Sequence, residues 1–557
     1  MRGVFLLIFC YFSIVFASSD VIINTNLGSV RGKELRTWKN SQFYGFRGIR
    51  YGKPPVDDLR FKPPVPVEPW NETFDATEDG PMCPQPNKTR EEYSEDCLRL
   101  NIYMKQLPCN QNRTENCSNS LKSVLFYIPG GGYYVGSGVS SDYGGPYYLL
   151  EHDIVLVTIN YRLGLLGFMN MATKEYPGNA AFKDQVVAMR FVRDHITNFG
   201  GDPSKVTLIS NSAGSFSTAL HLVSPMSRGL FHQLIMASGG YDGKQPFASE
   251  QSEVAKKQAE LFGCNTWNVN ETLSCLKSKP TDDYVDTVYK SMFYGLAPWS
   301  PVVEKDFGQE RFLVEQPLES FEKGNYAKVS LIAGVTRDEL VENAVPIVQN
   351  PLHSLVFDLG WYFVVPRVFG YESWTFRSFN ISGELRKFYG VPSPIRADNA
   401  LVPLSQLISD GGVGFGTHRI AKFMEKYKPV YQYMFSYVGR YSYLYYPDDK
   451  PYGAEHADDM IYLFCRNRVA PLFNETDPEA PIIEYLTRLY TNFVKTGNPN
   501  DSNDKFLQNV TWSALSDTNR QYLNIDSELL IESDMFKDRY ELWDKLFPAK
   551  YPVLDKQ

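Results

Sequence analysis

A serine that follows a short apolar run has the surroundings of an enzymatic nucleophile. Residues 206–209 (Val-Thr-Leu-Ile) predict a strand, which leads into residues 210–214 (Ser-Asn-Ser-Ala-Gly) and then into a helical pattern. On such a turn the hydroxyl of Ser212 is exposed beside the helix N-terminus, and the residues two positions away on each side must be small. Gly214 meets this need, whereas Ser210 stands where glycine is usual. Taken alone, the pattern also fits an ordinary serine and glycine loop.

A glycine-rich turn follows another predicted strand. Residues 124–128 (Val-Leu-Phe-Tyr-Ile) lead directly into residues 129–132 (Pro-Gly-Gly-Gly). Consecutive glycines leave backbone N–H groups unobstructed, as a site that stabilises an oxyanion requires. Gly136 and Gly138 follow, so a flexible loop is an equally open interpretation.

A serine nucleophile needs a general base, and the sequence contains seven histidines. The chain order serine, acid, histidine disfavours four of them, either because they precede Ser212 or because they follow it too closely: His152, His195, His221 and His232. Three remain, namely His353, His418 and His456. His456 is favoured because it lies among small and acidic residues (453–459) after the predicted strand 430–435.

The acid partner stays open at this point. Asp338 and Glu339 follow the predicted strand 329–333, which is a suitable place, but many other acidic residues lie between Ser212 and His456.

The elements that must position these residues alternate between strands and helices. The predicted strands are 124–128, 154–159, 206–209, 234–237, 329–333 and 430–435, and helical periodicity covers 182–199 and begins again at Ser215. This spacing implies right-handed crossovers and a mostly parallel sheet that is buried on both faces. Functional groups collect beyond the carboxyl ends of such strands, where the serine turn and the glycine turn both lie.

The composition is that of a large globular protein. The chain has 557 residues, 43% hydrophobic content and a net charge of −8, with no internal repeat and no linker-like segment. We therefore expect one α/β domain over residues 18–557 with long insertions. The mild acidity, without a stripe of lysine or arginine, argues against a nucleic-acid partner.

The first residues predict export. Arg2 precedes an apolar run over residues 4–17, which is too short for a membrane span and is typical of a signal peptide over residues 1–17. A buried N-terminal strand is the alternative. The last residues resemble neither a lipid-anchor signal nor an ER-retention signal, so we expect a secreted protein without a membrane anchor. Nine sequons suit a secreted glycoprotein: Asn71, Asn87, Asn112, Asn116, Asn270, Asn380, Asn474, Asn500 and Asn509.

Several long segments resemble the type-B carboxylesterase family, the group of the cholinesterases and carboxylesterases. They are residues 46–55 (FRGIRYGKPP), 94–103 (SEDCLRLNIY), 160–168 (NYRLGLLGF), 178–185 (GNAAFKDQ) and 198–203 (NFGGDP). The resemblance covers essentially the whole mature chain and is nearest to insect secreted carboxylesterases, with the hymenopteran venom type preferred. It implies an α/β-hydrolase fold and hydrolysis of a small-molecule ester, with neither metal nor organic cofactor.

The same resemblance implies the roles of the site residues. Ser212 is the expected nucleophile, Glu339 the acid and His456 the general base. The expected oxyanion hole consists of three backbone N–H groups, those of Gly131, Gly132 and Ala213.

Seven cysteines remain once Cys10 of the leader is set aside. Six cysteines can pair in fifteen ways, and pairing between sequence neighbours would close three short loops, each worth about 2–3 kcal/mol in the chain-entropy model. The resemblance implies two of these pairs, Cys83–Cys97 and Cys264–Cys275, whereas Cys109–Cys117 rests on proximity alone. Cys465 is left over, and we expect a buried, inert thiol.

Three departures from the family pattern bear on activity. Asn211 replaces the acidic residue that usually precedes the nucleophile, which we expect to lower activity or shift its pH dependence. Leu340 replaces the glycine that usually follows the acid, so the local turn is in question. The segment between Cys83 and Cys97 contains no tryptophan, which argues against a choline ester as the preferred substrate.

Two other functions compete with a general carboxylesterase. A juvenile-hormone-esterase-like hydrolase would fit residues 455–464, although Asn211 replaces the glutamine usual in those enzymes. A non-catalytic adhesion protein of the same family generally lacks triad residues and carries a membrane anchor.

Trp299 is either part of the acyl-binding wall or a core residue.

Overall fold

A computed structural model describes residues 20–109, 117–264, 268–291, 299–444, 450–507 and 510–550. The predicted signal peptide, residues 1–17, lies outside the described residues, as do the sequon asparagines Asn112, Asn116 and Asn509.

Fifteen strands occur in the described residues. They are β1 Asp20–Thr25, β2 Gly28–Arg36, β3 Gln42–Arg50, β4 Phe74–Asp75, β5 Arg99–Met104, β6 Leu107–Pro108, β7 Cys117–Ser118, β8 Lys122–Ile128, β9 Val155–Ile159, β10 Gly201–Asn211, β11 Gln233–Ala237, β12 Ser330–Thr336, β13 Val430–Phe435, β14 Gln521–Ile525 and β15 Leu529–Ser533.

Thirteen of these strands form one sheet in the order β1-β2-β3-β5-β9-β8-β10-β11-β12-β13-β14-β15, with β4 beside β2. The seven strands from β9 to β14 in this order are mutually parallel. The strands at the two ends are antiparallel. The parallel block brings the carboxyl ends of β8, β10, β12 and β13 to one edge of the sheet, where the candidate site lies.

Fifteen α-helices occur in the same part of the chain. They are α1 Gly164–Phe168, α2 Ala180–His195, α3 Ala213–Val223, α4 Ser252–Leu261, α5 Val269–Lys277, α6 Thr281–Ser291, α7 Pro317–Glu322, α8 Val341–Gln349, α9 Pro351–Leu359, α10 Trp361–Val368, α11 Phe376–Tyr389, α12 Ala397–Ser409, α13 Phe415–Met424, α14 Ala480–Thr496 and α15 Lys537–Leu546.

The period of two along β8 divides the core between the two faces of the sheet. Val124 and Phe126 pack in one cluster with residues of α2 and α3, whereas Leu125 and Tyr127 pack in another with residues of α14. Successive side chains of a strand point to opposite faces, so an uninterrupted apolar run is what a strand covered by helices on both sides requires. A third cluster joins helices α8 to α12 with α15.

The α/β-hydrolase fold that the sequence predicted is confirmed, and most element boundaries agree closely. The strand expected at 430–435 has those bounds, and the helix expected over 182–199 is α2 followed by a 3₁₀ turn, Ile196–Phe199. The largest difference is at β10, which begins at Gly201, five residues before the predicted start at Val206, because Gly201 pairs with Lys122 of β8 ahead of a register shift.

Three disulfides join Cys83 to Cys97, Cys109 to Cys117 and Cys264 to Cys275. The first and the third are the pairs that the family resemblance implied, and the second is the pair expected from proximity in the chain. Cys465 is free and buried, and its thiol donates a hydrogen bond to Oδ1 of Asn467 at 2.9 Å. Burial raises the pKa of this thiol to about 12.

Within the described ranges, no helix combines the length and the apolar character needed to cross a membrane. Five of the sequon asparagines are exposed: Asn71, Asn87, Asn270, Asn380 and Asn474. Asn500 is half-buried, and its amide nitrogen donates to the carbonyl of Trp512 at 2.9 Å and to Oδ1 of Asn498 at 2.8 Å. A glycan on Asn500 would therefore remove one of these two hydrogen bonds.

Candidate active site

Ser212 lies between the last residue of β10 and the first residue of α3. Its backbone has φ 55° and ψ −127°, and a positive φ in a residue with a Cβ costs about 1–3 kcal/mol. The turn leaves no room for a side chain at Gly214, because a Cβ there would lie 2.3 Å from the carbonyl oxygen of Ile128. The strained, closely packed turn presents Ser212 above the sheet at the N-terminus of α3.

Ser210, the departure from the usual glycine, is accommodated by other hydroxyl groups. Its side chain is buried and lies 3.2 Å from Oγ of Ser215 and 3.0 Å from Oγ1 of Thr218. Because both partners lie in the first turns of α3, the extra hydroxyl fastens the end of β10 to the helix that follows Ser212.

The glycine turn after β8 adopts a conformation that suits glycine. Gly131 and Gly132 have φ values of 114° and 58°, and a Cβ on Gly131 would lie 2.2 Å from the carbonyl oxygen of Val135. In the part of the chain that the structure describes, the N–H groups of Gly131, Gly132 and Ala213 donate to no protein acceptor. These three residues and Ser212 line the same cavity, so the donors are available to a bound molecule.

His456 and Glu339 form a close polar contact beside that cavity. Nδ1 of His456 lies 2.5 Å from Oε2 of Glu339, and the other carboxylate oxygen, Oε1, accepts the backbone N–H of Thr336 at 2.8 Å. Glu339 is 2% exposed, and His456 lines the cavity together with Ser212. A carboxylate that accepts from Nδ1–H leaves Nε2 as the ring nitrogen able to take a proton.

Asp338, which the sequence left as an alternative acid, has a different role. Its Oδ2 accepts the backbone N–H of Ala454 at 3.0 Å, which ties the turn after β12 to the segment that carries His456. Asp458 acts on the same segment, since its Oδ2 accepts the backbone N–H of Glu455 at 2.9 Å. Two carboxylates thus position the His456 loop, and a third contacts the ring.

The protonation of His456 reflects opposing influences. Burial lowers its pKa, but the charge and the hydrogen bond of Glu339 raise it, with further contributions from the negative charges of Glu342 and Asp459. The outcome is a pKa raised to about 9. The surroundings therefore favour the imidazolium form, which a general base must become when it accepts a proton.

The other histidines lie elsewhere or are fully engaged. His221 is buried, with its ring nitrogens 2.7 Å from Oγ of Ser227 and 2.8 Å from Oε1 of Gln185. Nε2 of His418 lies 3.3 Å from Oδ2 of Asp544, outside the cavity that Ser212 and His456 line.

The cavity lined by Ser212, His456 and the glycine turn, which we call the reaction cavity, has a volume of about 650 Å³. Much of its wall is apolar, and it includes Phe216, Phe247 and Trp299. The sequence left Trp299 as either a core residue or part of the wall. It is 6% exposed and also lines the cavity, so both descriptions apply.

Sequence reasoning missed three charged residues in this wall, namely Glu342, Glu455 and Arg466. Glu455 is the direct neighbour of His456, and an ionisable group beside a candidate base was the available signal. The positions of Glu342 and Arg466 depend on contacts between distant segments, which no local pattern records.

A smaller, mainly apolar cavity of about 310 Å³ lies next to the reaction cavity. Leu340, Asn343 and Gly412 line both cavities. Leu340 has a left-handed backbone, with φ 53°. Its side chain lies so close to Gly412 that a Cβ on that glycine would be 2.5 Å from Cδ1 of Leu340. The leucine that replaces the usual glycine thus forms part of the wall between the two cavities.

Comparison with known proteins agrees with this geometry. The model of the carboxylesterase family matches residues 19–543. The chain is 33% identical over 528 residues to a juvenile hormone esterase of Tribolium castaneum, covering 90% of this chain and 87% of that protein. It is 30% identical over 524 residues to venom carboxylesterase-6 of Apis mellifera, covering 90% of each.

A solved structure shows the same fold. The crystal structure of juvenile hormone esterase from Manduca sexta, with OTFP covalently attached, aligns with a TM-score of 0.83 and 26% identity, over 95% of this chain and 100% of that chain. The expected resemblance to insect esterases is confirmed. The chain therefore belongs to the carboxylesterase family and is a carboxylic ester hydrolase.

Proposed function

We propose that the protein hydrolyses carboxylic esters through an acyl-enzyme on Ser212. The observation that carries this proposal is that His456 lines the same cavity as Ser212 and that its Nδ1 pairs with Glu339. A covalently attached molecule in the Manduca sexta relative supports a covalent mechanism in this family.

In the first half of the reaction, Oγ of Ser212 attacks the ester carbonyl and Nε2 of His456 takes the hydroxyl proton. Glu339 holds the imidazole ring and stabilises the imidazolium. The negative charge on the carbonyl oxygen is met by the N–H groups of Gly131, Gly132 and Ala213, each worth about 3–4 kcal/mol in comparable sites. The tetrahedral intermediate collapses, and the alcohol leaves with the proton that His456 returns.

In the second half, a water molecule attacks the acyl-enzyme while His456 takes one of its protons. The second tetrahedral intermediate expels Oγ of Ser212, which regains a proton from His456. The products are one carboxylic acid and one alcohol, and the catalytic groups return to their initial state.

The walls of the cavity indicate esters with a substantial apolar part. Phe216, Phe247 and Trp299 supply large apolar surfaces, and burial of each methylene of a ligand contributes about 0.8 kcal/mol. Two relatives are named juvenile hormone esterases, so a juvenile hormone is a second candidate substrate, although Asn211 differs from the glutamine expected for it.

We also propose that the protein is exported, with residues 1–17 removed as a signal peptide. One relative is named a venom carboxylesterase, and the exposure of five sequon asparagines and the three disulfides support passage through an oxidising compartment. The adhesion alternative finds no support, because Ser212 and His456 line one cavity and Glu339 is hydrogen-bonded to the His456 ring.

The test compares the secreted wild type with Ser212→Ala and with Ser527→Ala, an exposed serine as matched control. Short-chain and long-chain 4-nitrophenyl esters are the substrates. We expect Ser212→Ala to lose at least about a thousandfold in kcat, and an organophosphate to modify Ser212 in the wild type, as located by peptide mass spectrometry. Ester turnover that persists in Ser212→Ala, or an adduct on another residue, would refute the proposal.

A further inference from the structure

Two glutamates that the proposed reaction does not use lie in the wall of the reaction cavity. Glu342 is in the first turn of α8, and Glu455 directly precedes His456. Both line the cavity together with Ser212. Glu455 is 1% exposed, whereas Glu342 is only partly buried.

The hydrogen bonding of this pair is incomplete. Oε1 of Glu455 accepts the backbone N–H of His456 at 2.9 Å. The second oxygen of Glu455 and Oε2 of Glu342 are both buried, and neither accepts a hydrogen bond from a donor among the described residues. A buried carboxylate oxygen without a donor is costly, so these two oxygens favour a shared proton or a polar group of a bound molecule.

One shared proton would satisfy both glutamates. Two adjacent carboxyl groups in a poorly solvated place do not both ionise, and one retains a proton that hydrogen-bonds the other. Burial, together with the hydrogen bond and the negative charge of Glu342, raises the pKa of Glu455 well above its usual range. Glu342 is the better place for the remaining charge, because it is less buried and the N-terminal turn of α8 favours an anion.

Each of the other charged groups around the pair has at least one hydrogen-bond partner of its own. Glu339 is bound to the His456 ring, and Asp459 accepts the hydroxyl of Tyr433 at 2.7 Å. Arg466 is 2% exposed and donates to the hydroxyls of Tyr127 and Tyr443. In the described chain it forms no ion pair, so the charge of Glu342 is not neutralised by a direct contact with it.

We propose that Glu342 and Glu455 form an acidic binding subsite within the reaction cavity, a proposal that rests on the esterase function above. Glu455 holds the shared proton, and Glu342 presents a negative charge to the substrate. The subsite favours esters that carry a hydroxyl, amide or ammonium group on their acyl or alcohol part, and it disfavours esters that carry a carboxylate there.

The selectivity test uses esters of equal length whose acyl chains end in a methyl, hydroxyl, ammonium or carboxylate group. The readout is the ratio of kcat/KM for each polar ester to that for the methyl ester. The variants are Glu342→Gln, Glu455→Gln and Glu528→Gln, the last an exposed glutamate that controls for net charge.

In the wild type and in Glu528→Gln, we expect the ammonium ester to be favoured over the carboxylate ester by at least about a hundredfold. Glu342→Gln should reduce this preference at least tenfold. Glu455→Gln should retain it, because glutamine has the shape of a protonated glutamate and can donate to Glu342. An unchanged preference in Glu342→Gln, or equal losses in both variants, would overturn the assignment.

Inhibition of the wild type gives a readout that needs no variant. A hexylammonium ion should inhibit at least tenfold more strongly than hexanoate at pH 7, and equal inhibition would contradict the subsite. Failure of the proposed function is distinguishable, since it would appear as ester turnover that does not depend on Ser212.

Thermal unfolding tests the proton on Glu455 without reference to activity. An unfolded glutamate loses its proton near pH 4.5, whereas the folded Glu455 keeps it, so the folded state binds more protons and this contribution to stability falls as the pH rises above 4.5. Glu455→Gln carries no such proton. Its Tm relative to the wild type should therefore increase from pH 5 to pH 8, and a constant difference would refute a protonated Glu455.

Discussion

Oδ1 of Asn211 accepts a hydrogen bond from the backbone N–H of Gly130 at 3.1 Å, so the residue before Ser212 holds the glycine turn in place. The same oxygen accepts the hydroxyl of Tyr127 at 3.0 Å, and Tyr127 in turn accepts from Nη2 of Arg466 at 3.1 Å. The contact to the glycine turn requires an acceptor at position 211 but not a negative charge, which is how an amide can replace the usual acid.

Replacement of this acceptor should damage the oxyanion donors. Asn211→Ala would leave the buried N–H of Gly130 and the buried hydroxyl of Tyr127 without an acceptor, at a cost of about 1–3 kcal/mol. We expect a lower Tm and a kcat at least tenfold below that of the wild type, measured with a short-chain 4-nitrophenyl ester.

Asn211→Asp is the matched control, because it keeps the acceptor and adds a negative charge. It should retain a higher kcat than Asn211→Ala, and the added charge should move the acid limb of its pH profile upwards. Equal kcat values in the two variants would show that Asn211 does not position the turn.

The pH dependence of activity should reflect the surroundings of His456. Its pKa is lowered by burial but raised, on balance, to about 9 by Glu339 and neighbouring carboxylates. A general base must be neutral to accept a proton, so kcat/KM should rise with pH through an acid limb above 6.5, the ordinary value for imidazole.

Glu339→Gln should move that limb to lower pH, since it removes the charge that favours the imidazolium. It should also lower kcat by about 10²–10⁴, by analogy with amide replacements of the acid in serine proteases. Profiles of kcat/KM between pH 5 and 10 locate the acid limb in the two proteins, and kcat is measured at saturating substrate. A wild-type limb below pH 6.5 would contradict the described electrostatics.

The wall at Leu340 should limit the length of the substrate. Leu340→Ala would join the reaction cavity to the adjacent apolar cavity of about 310 Å³. We expect the joined cavity to bury about two more methylenes of a long acyl chain, each contributing about 0.8 kcal/mol. The ratio of kcat/KM for a dodecanoyl ester to that for a butanoyl ester should therefore be roughly tenfold higher in Leu340→Ala than in the wild type. Leu340→Met keeps most of the volume and should show the wild-type ratio, and an identical ratio in all three proteins would exclude this role.

Cys465 should be unreactive in the folded protein. Its thiol is 1% exposed and its pKa is raised to about 12, so the thiolate that reacts with electrophiles is scarce at pH 7. In protein from which residues 1–17, and with them Cys10, have been removed, a disulfide-based thiol reagent should label no cysteine in the native state and one cysteine per chain in guanidinium. Rapid labelling of Cys465 in native protein would contradict its burial.

Much of the fold and part of the site could be predicted from local patterns. The runs that became β8 to β13 are short and mainly apolar, and they alternate with helical patterns, so their type and order were recognisable. The glycine turn and the turn at Ser212 each lie within a few residues of a strand end, which made them visible as candidates. Resemblance to a family added the assignments of Glu339 and His456.

Local patterns could not choose between Asp338 and Glu339, because both lie in the same turn after β12. Their difference is one of direction: Glu339 contacts the ring of His456, and Asp338 contacts the backbone of Ala454. Only the folded position of a segment more than a hundred residues away assigns a role to each carboxylate.

The sequence by itself determined the alternation of strands and helices and the positions of the turns that carry Ser212 and the three N–H groups, since each depends on residues close together in the chain. The tertiary structure decided how Ser210 is accommodated, what Asn211 holds, and that Glu342 meets Glu455 beside His456. These contacts join segments that approach only when the sheet and its helices pack, so their energies depend on burial and on distances across the fold.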